Sequence, residues 1–149
     1  MARKFIIAVF NNADAAYGAA ADVKTLEGNK LGFKVKAGGL MAKDGKGNPY
    51  WLDEKERPLW GTLVGTVVGG LLGLVGGPAG AAAGATLGAT SGLVGDALSE
   101  SFDADDVEWV TAQLSPGKAA MVLDAEEDSP VYFDEIAAKY GAIVRRDDA

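Results

Sequence analysis

The chain has 149 residues, enough for one domain of ordinary size or a small domain carrying an inserted element. It contains neither cysteine nor histidine, which excludes disulfides, thiolate metal sites and a cysteine nucleophile, and removes the commonest general base and metal ligand. A net charge of −7 argues against a nucleic-acid partner, because phosphate contact needs a basic face.

The first segment, Met-Ala-Arg-Lys followed by Phe5 to Phe10, is too short for a signal peptide and reads as the opening strand of a cytoplasmic protein. Phe5, Ile7 and Val9 alternate with Ile6, Ala8 and Phe10, so both faces are apolar and the strand is expected to be buried and central. Asn11, Asn12 and Asp14 offer a helix N-cap. Ala16, Ala19, Ala20, Val23 and Leu26 follow at helical spacing, and Gly28-Asn29 supplies a stop. Phe33, Val35 and Ala37 alternate with Lys34 and Lys36 as a strand with one wet face, bent at Gly38-Gly39 before Leu40 to Lys43. Asp44 to Pro49 is a turn, and Tyr50 to Leu52 returns as a short edge strand.

From Trp60 to Gly95 no residue is charged, and the glycines form two ladders of period four. The first is Gly61, Gly65, Gly69, Gly73 and Gly77; the second is Gly76, Gly80, Gly84, Gly88 and Gly92. The pattern predicts a hairpin of two helices, changing over at Gly76-Gly77-Pro78, whose backbones meet along glycine grooves. An interior helical glycine costs about 1 kcal/mol relative to alanine, so the ladders need close packing to offset them. A four-residue step turns about 400°, and ridges that drift this way favour a right-handed crossing of about −40 to −50°. A flexible linker has no reason to keep a period of four, and Leu63, Val64, Val67, Val68, Leu71 and Leu72 are too apolar for one.

Pro58 to Val75 would be about 27 Å long as a helix, close to the ~30 Å hydrocarbon thickness of a bilayer. The second arm, Pro78 to Leu98, is poorer in large apolar residues, with Ala81 to Ala83, Thr86, Thr90 and Ser91. Both outer flanks are hydrophilic and the joining turn is uncharged, so a hairpin could insert with both ends on the side favoured by Lys43, Lys46, Lys55 and Arg57. Tyr50, Trp51 and Trp60 would then lie near the interface. The alternative is a soluble homo-oligomer that buries these hairpins in a shared core. Either way a lone hairpin in water would expose a large apolar patch.

Beyond the hairpin, Asp103, Asp105, Asp106 and Glu108 stand at a helix N-terminus, which favours carboxylates; with no EF-hand spacing and no nitrogen ligand, capping accounts for them better than Ca²⁺ or Mg²⁺. Val107, Val110 and Leu114 form the stripe of a short helix closed by Ser115-Pro116-Gly117. Lys118 to Asp124 is a strand, and Ala125 to Asp128 a solvated acidic loop. Ser129-Pro130 caps a helix carrying Phe133, Ile136, Ala137 and Tyr140, Gly141 ends it, and Ala142 to Arg146 is the last strand. Serines and threonines have no histidine to activate them, and Gly45-Lys46-Gly47 lacks phosphate-loop spacing, so no enzyme, catalytic residue, cofactor or metal site is expected. Charge is uneven: residues 1–57 carry a balance of +3, and residues from Asp96 onward −10. These halves could attract each other, within one molecule or between copies, or both could simply be solvated surfaces.

With the middle removed the order is strand, helix, strand, then strand, helix, strand. The expected fold is α+β: a ferredoxin-like split βαβ sandwich (residues 1–56 and 99–149) interrupted by the glycine-zipper helical hairpin (residues 57–98). The strand Phe5 to Phe10, the Asp44-Gly45-Lys46 turn, the ladder hairpin, the acidic run Asp103 to Asp106, Leu114-Ser115-Pro116-Gly117-Lys118 and the ending Tyr140 to Arg145 together resemble a bacterial family, domain-of-unknown-function 1269. The resemblance covers nearly the whole chain; the Ala-rich first helix and Gly47 to Asp53 depart from it. It implies a membrane-linked protein and supplies no catalytic residues. The expected function is non-enzymatic: a membrane-associated homo-oligomer on the cytoplasmic side, with itself and a lipid bilayer as partners and no nucleic acid or small-molecule substrate. The alternative is a soluble cytoplasmic homo-oligomer with a small-ligand-binding or stress-related scaffold role.

Overall fold

The structure, a computed structural model, describes residues 2–29, 31–46, 49–52 and 104–148. Its elements are β1 (Ala2–Phe10), α1 (Ala13–Gly28), β2 (Phe33–Lys43), β3 (Pro49–Trp51), α2 (Ala104–Gln113), β4 (Ala119–Glu127), α3 (Val131–Lys139) and β5 (Ile143–Asp148). The strands form one antiparallel sheet in the order β3-β2-β4-β1-β5. The fold is therefore mixed α+β, with three helices among the described residues.

A strand apolar on both sides has to be covered on both sides. β1 sits between β4 and β5, and Phe5 to Phe10 are all buried, as their alternation predicts. Ile6, Ala8 and Phe10 join Met121, Leu123 and Ala125 of β4 and Phe33, Val35, Leu40 and Ala42 of β2 on one face. α1 lies on that face with Ala16, Ala19, Ala20, Val23 and Leu26, small enough at three positions to let the helix approach closely. α3 adds Phe133 and Ala137, and the Phe33 and Phe133 rings stack 6.1 Å apart. Asn12 caps α1, its Oδ1 accepting from the Ala15 N–H at 2.8 Å.

The opposite face presents Phe5, Ile7 and Val9, with Ala120, Val122 and Met41 beside them, all buried. α2 packs against β1 here, and its Val110 and the following Leu114 are fully buried. The sheet thus has helices on both faces.

Several boundaries differ from expectation. The irregularity in β2 falls between Val35 and Ala37, not at Gly38-Gly39, and the strand continues unbroken to Lys43. The apolar pattern requires this, since Val35 and Leu40 face the same core from positions of opposite parity, which only an extra residue between them allows. β4 runs to Glu127, so Ala125 to Glu127 are strand residues and not a solvated loop; Glu127 is buried and Glu126 half-buried. Ion pairs to Arg146 and Lys36 hold these carboxylates in the sheet. β5 extends to Asp148, two residues past the expected end. At the end of α3, Gly141 takes φ +70°, the left-handed cap its position predicts. The hairpin expected over residues 57–98, and its crossing angle, lie outside the described residues.

Candidate functional site

On α1 and its C-cap, Asp22, Thr25, Leu26 and Asn29 stand at i, i+3, i+4 and i+7; on α3, Tyr132, Glu135, Ile136 and Lys139 repeat that spacing. Each set therefore lies along one side of its helix. The two sides face each other across an open groove of about 500 Å³, which Leu31 also lines. Leu26 is buried in its floor, Ile136 and Tyr132 are half-buried, and Leu31 is 46% exposed.

A polar cluster tightens one end. Asp22 Oδ2 accepts from Lys139 Nζ at 2.9 Å and from the Tyr140 hydroxyl at 3.0 Å. The Lys139 ammonium also lies 5.2 Å from the centre of the Tyr140 ring. The hydrogen bond that Lys139 donates to Asp22, reinforced by the carboxylate's charge, raises the Lys139 pKa above the ordinary lysine value, so this side chain is a cation at neutral pH. Glycine at position 18 makes room for the phenol, since a Cβ there would sit 2.6 Å from Tyr140 Cε1. The groove offers a fixed ammonium, a carboxylate already accepting two hydrogen bonds, and an apolar floor. These are means of non-covalent contact.

The buried carboxylates elsewhere are held by arginine. Glu127, 3% exposed, takes Arg146 Nε at 2.9 Å, and Arg146 Nη1 reaches Asp134 of α3 at 2.8 Å while the guanidinium lies 5.8 Å from the Phe133 ring centre. Burial works against the charge on Arg146, yet hydrogen bonds to Glu127 and Asp134 outweigh it and raise its pKa. Asp106, 1% exposed, accepts from Arg145 Nε at 2.5 Å and ties α2 to β5. Arg3 grips Asp124 with two hydrogen bonds of 2.9 and 2.7 Å, which raise the arginine pKa.

Asp105 and Asp106 lie in the first turn of α2, where capping places them, but Asp106 is a buried ion-pair partner rather than a solvated cap. Asp105 and Glu108 are exposed, and Asp103 lies outside the described residues. Among the described residues no three acidic side chains are grouped to hold a metal ion. The ten ladder glycines, Gly61, Gly65, Gly69, Gly73, Gly77, Gly76, Gly80, Gly84, Gly88 and Gly92, all lie outside the described residues. So does the segment expected to meet a membrane; among the described residues no helix is long and apolar enough to cross one. Sequence reasoning passed over Gly18, Asp22 and Lys139, and read Tyr140 only as part of an apolar helix face. The matched helical spacing of the two groove walls was the signal that could have found them.

This architecture, an antiparallel sheet with helices on both faces and arginine-held acids within it, defines an α+β domain. The chain belongs to a family of proteins of unknown function, DUF1269, whose model matches residues 58–147, more than half of its length. No curated protein and no solved structure matches it.

Proposed function

We propose that this protein is a non-enzymatic, membrane-associated homo-oligomer that assembles through its glycine ladders on the cytoplasmic side of a bilayer. The observation that carries this reading is the pair of period-four ladders within an uncharged run from Trp60 to Gly95. The buried acids support a structural role for the domain, because Asp106, Asp124 and Glu127 are engaged by Arg145, Arg3 and Arg146. The long strands, in the order β2-β4-β1-β5 with α1 and α3 on one face, support a ferredoxin-like arrangement to which β3 and α2 are additions.

The composition of the second arm favours a second reading. Ala81 to Ala83, Thr86, Thr90 and Ser91 suit a protein core better than lipid, and a soluble homo-oligomer would bury the hairpins among copies. Cell fractionation with and without detergent separates the two: recovery in the membrane fraction is expected, and full recovery of a defined oligomer without detergent would favour the soluble assembly. For the ladder, Gly69→Leu and Gly84→Leu are expected to lower the mass measured by light scattering, whereas Gly28→Ala leaves it unchanged. Unaltered mass in both ladder variants would refute assembly through glycine.

A further inference from the structure

One wall of the groove between α1 and α3 carries two opposite charges. Glu135 and Lys139 both line it and stand four residues apart on α3, about 6 Å along the helix axis. Glu135 is exposed and makes no ion pair among the described residues. Lys139 donates to Asp22 of α1 instead, at 2.9 Å, and its ammonium keeps N–H groups for a second acceptor. Ile136 lies between the two charges and is half-buried. Further apolar side chains stand in the open nearby: Leu31, which lines the groove, is 46% exposed, and Val131, next to Tyr132 on α3, is 53% exposed.

Such a surface selects its partner. A helix of one charge sign that is drawn to Glu135 is repelled by Lys139, and the reverse holds for the other sign. The partner that fits carries both signs at the same spacing, in the opposite direction. α3 of a second copy does so when it lies antiparallel about a two-fold axis level with Ala137, midway between the charges. Glu135 of each copy then meets Lys139 of the other, so one contact is made twice. The same approach takes Ile136 and Leu31 out of water.

We propose that a second copy of this chain docks on the α1–α3 face, its α3 antiparallel to the first, with Glu135 and Lys139 paired across the interface. This contact goes beyond assembly through the glycine ladders and does not depend on it. A carbodiimide, which joins a carboxylate to an amine in contact with it, tests the pairing on the full chain. In a mixture of isotope-labelled and unlabelled wild type, mass spectrometry is expected to find Glu135 of one copy linked to Lys139 of the other. Exchanging the charges gives a second reading. Glu135→Lys copies carry only amines at the two positions and Lys139→Glu copies only carboxylates, so a link between position 135 of the first and position 139 of the second joins two copies by necessity. That link is expected when the two variants are mixed. No link between copies, in the wild type and in the variant mixture, would overturn the proposal and leave the groove to a different partner. Linkage of Glu135 only to lysines outside α3 of the other copy would overturn it as well, because the two helices would not lie antiparallel. In Gly69→Leu, where light scattering reads the ladder assembly, the wild-type link is expected to survive. Its loss together with the mass would overturn a contact independent of the ladders, so the two proposals fail or stand apart.

Discussion

Gly28 and Gly32 stand four residues apart and are expected to respond oppositely to alanine. Nothing lies within 4 Å of a Cβ at Gly28, which ends α1, so Gly28→Ala gains helix propensity, up to about 1 kcal/mol. Gly32 has φ +76°, and a Cβ there would collide with the Asp128 carboxylate, whose own N–H donates to the Gly32 carbonyl at 2.8 Å. The left-handed backbone alone costs alanine about 1–2 kcal/mol, so Gly32→Ala should unfold at clearly lower denaturant. Chemical denaturation of both variants checks the opposite signs. Lys139 makes a separate prediction about pH. Its folded pKa lies above the ordinary 10.5, so what the Asp22 contact contributes is complete below that value and is lost as pH rises through the higher folded pKa. Lys139→Met should remove this alkaline loss while leaving the profile near neutrality unchanged in shape, as thermal melts across alkaline pH would read.

Arg146 joins three elements, reaching from β5 to Glu127 on β4 and to Asp134 on α3. Removing one member of a buried ion pair costs about 3–5 kcal/mol, chiefly because the other charge is left without its partner. Arg146→Met is expected to fall in that range. Replacing Glu127 with leucine in the same chain should restore most of the loss, since a buried pair is often exchangeable for apolar side chains. A double-mutant cycle by urea denaturation measures this, and equal losses in the single and double variants would show that Glu127 is not what Arg146 serves. The extent of β4 has the same origin. A run of Ala125-Glu126-Glu127-Asp128 looks like a wet loop, yet Lys36 and Arg146 reach these acids from distant parts of the chain and keep them in a strand.

Over the molecule as a whole, the uneven charge of the two ends is used internally. Arg3 meets Asp124, Lys36 meets Glu126 and Lys4 meets Asp148, joining the basic N-terminal part to the acidic C-terminal part along the sheet. Apart from the buried Asp124 carboxylate, these groups are largely at the surface, where a pair contributes at most about 1 kcal/mol and salt screens it. High salt is therefore expected to lower the melting temperature by only a few degrees, and to do so equally in wild type and in Arg146→Met, whose missing pair is buried. Calorimetry in low and high sodium chloride tests it; a salt effect much reduced in that variant would show that screening acts mainly on the buried cluster.

The linear pattern of residues was sufficient for β1, α1, α3 and the left-handed cap at Gly141, because alternation, helical spacing and glycine's freedom at positive φ are local matters. It was also sufficient for an α+β class and for the family. It did not reveal the bulge before Ala37, the length of β4, the burial of Asp106 and Glu127, or the groove between α1 and α3. Each of those depends on partners far away in the chain: Arg145 for Asp106, Arg146 for Glu127, and α3 for the side of α1 that carries Asp22. A carboxylate looks solvated in a string of residues, and it is a buried structural group only once folding brings a guanidinium to within hydrogen-bonding distance.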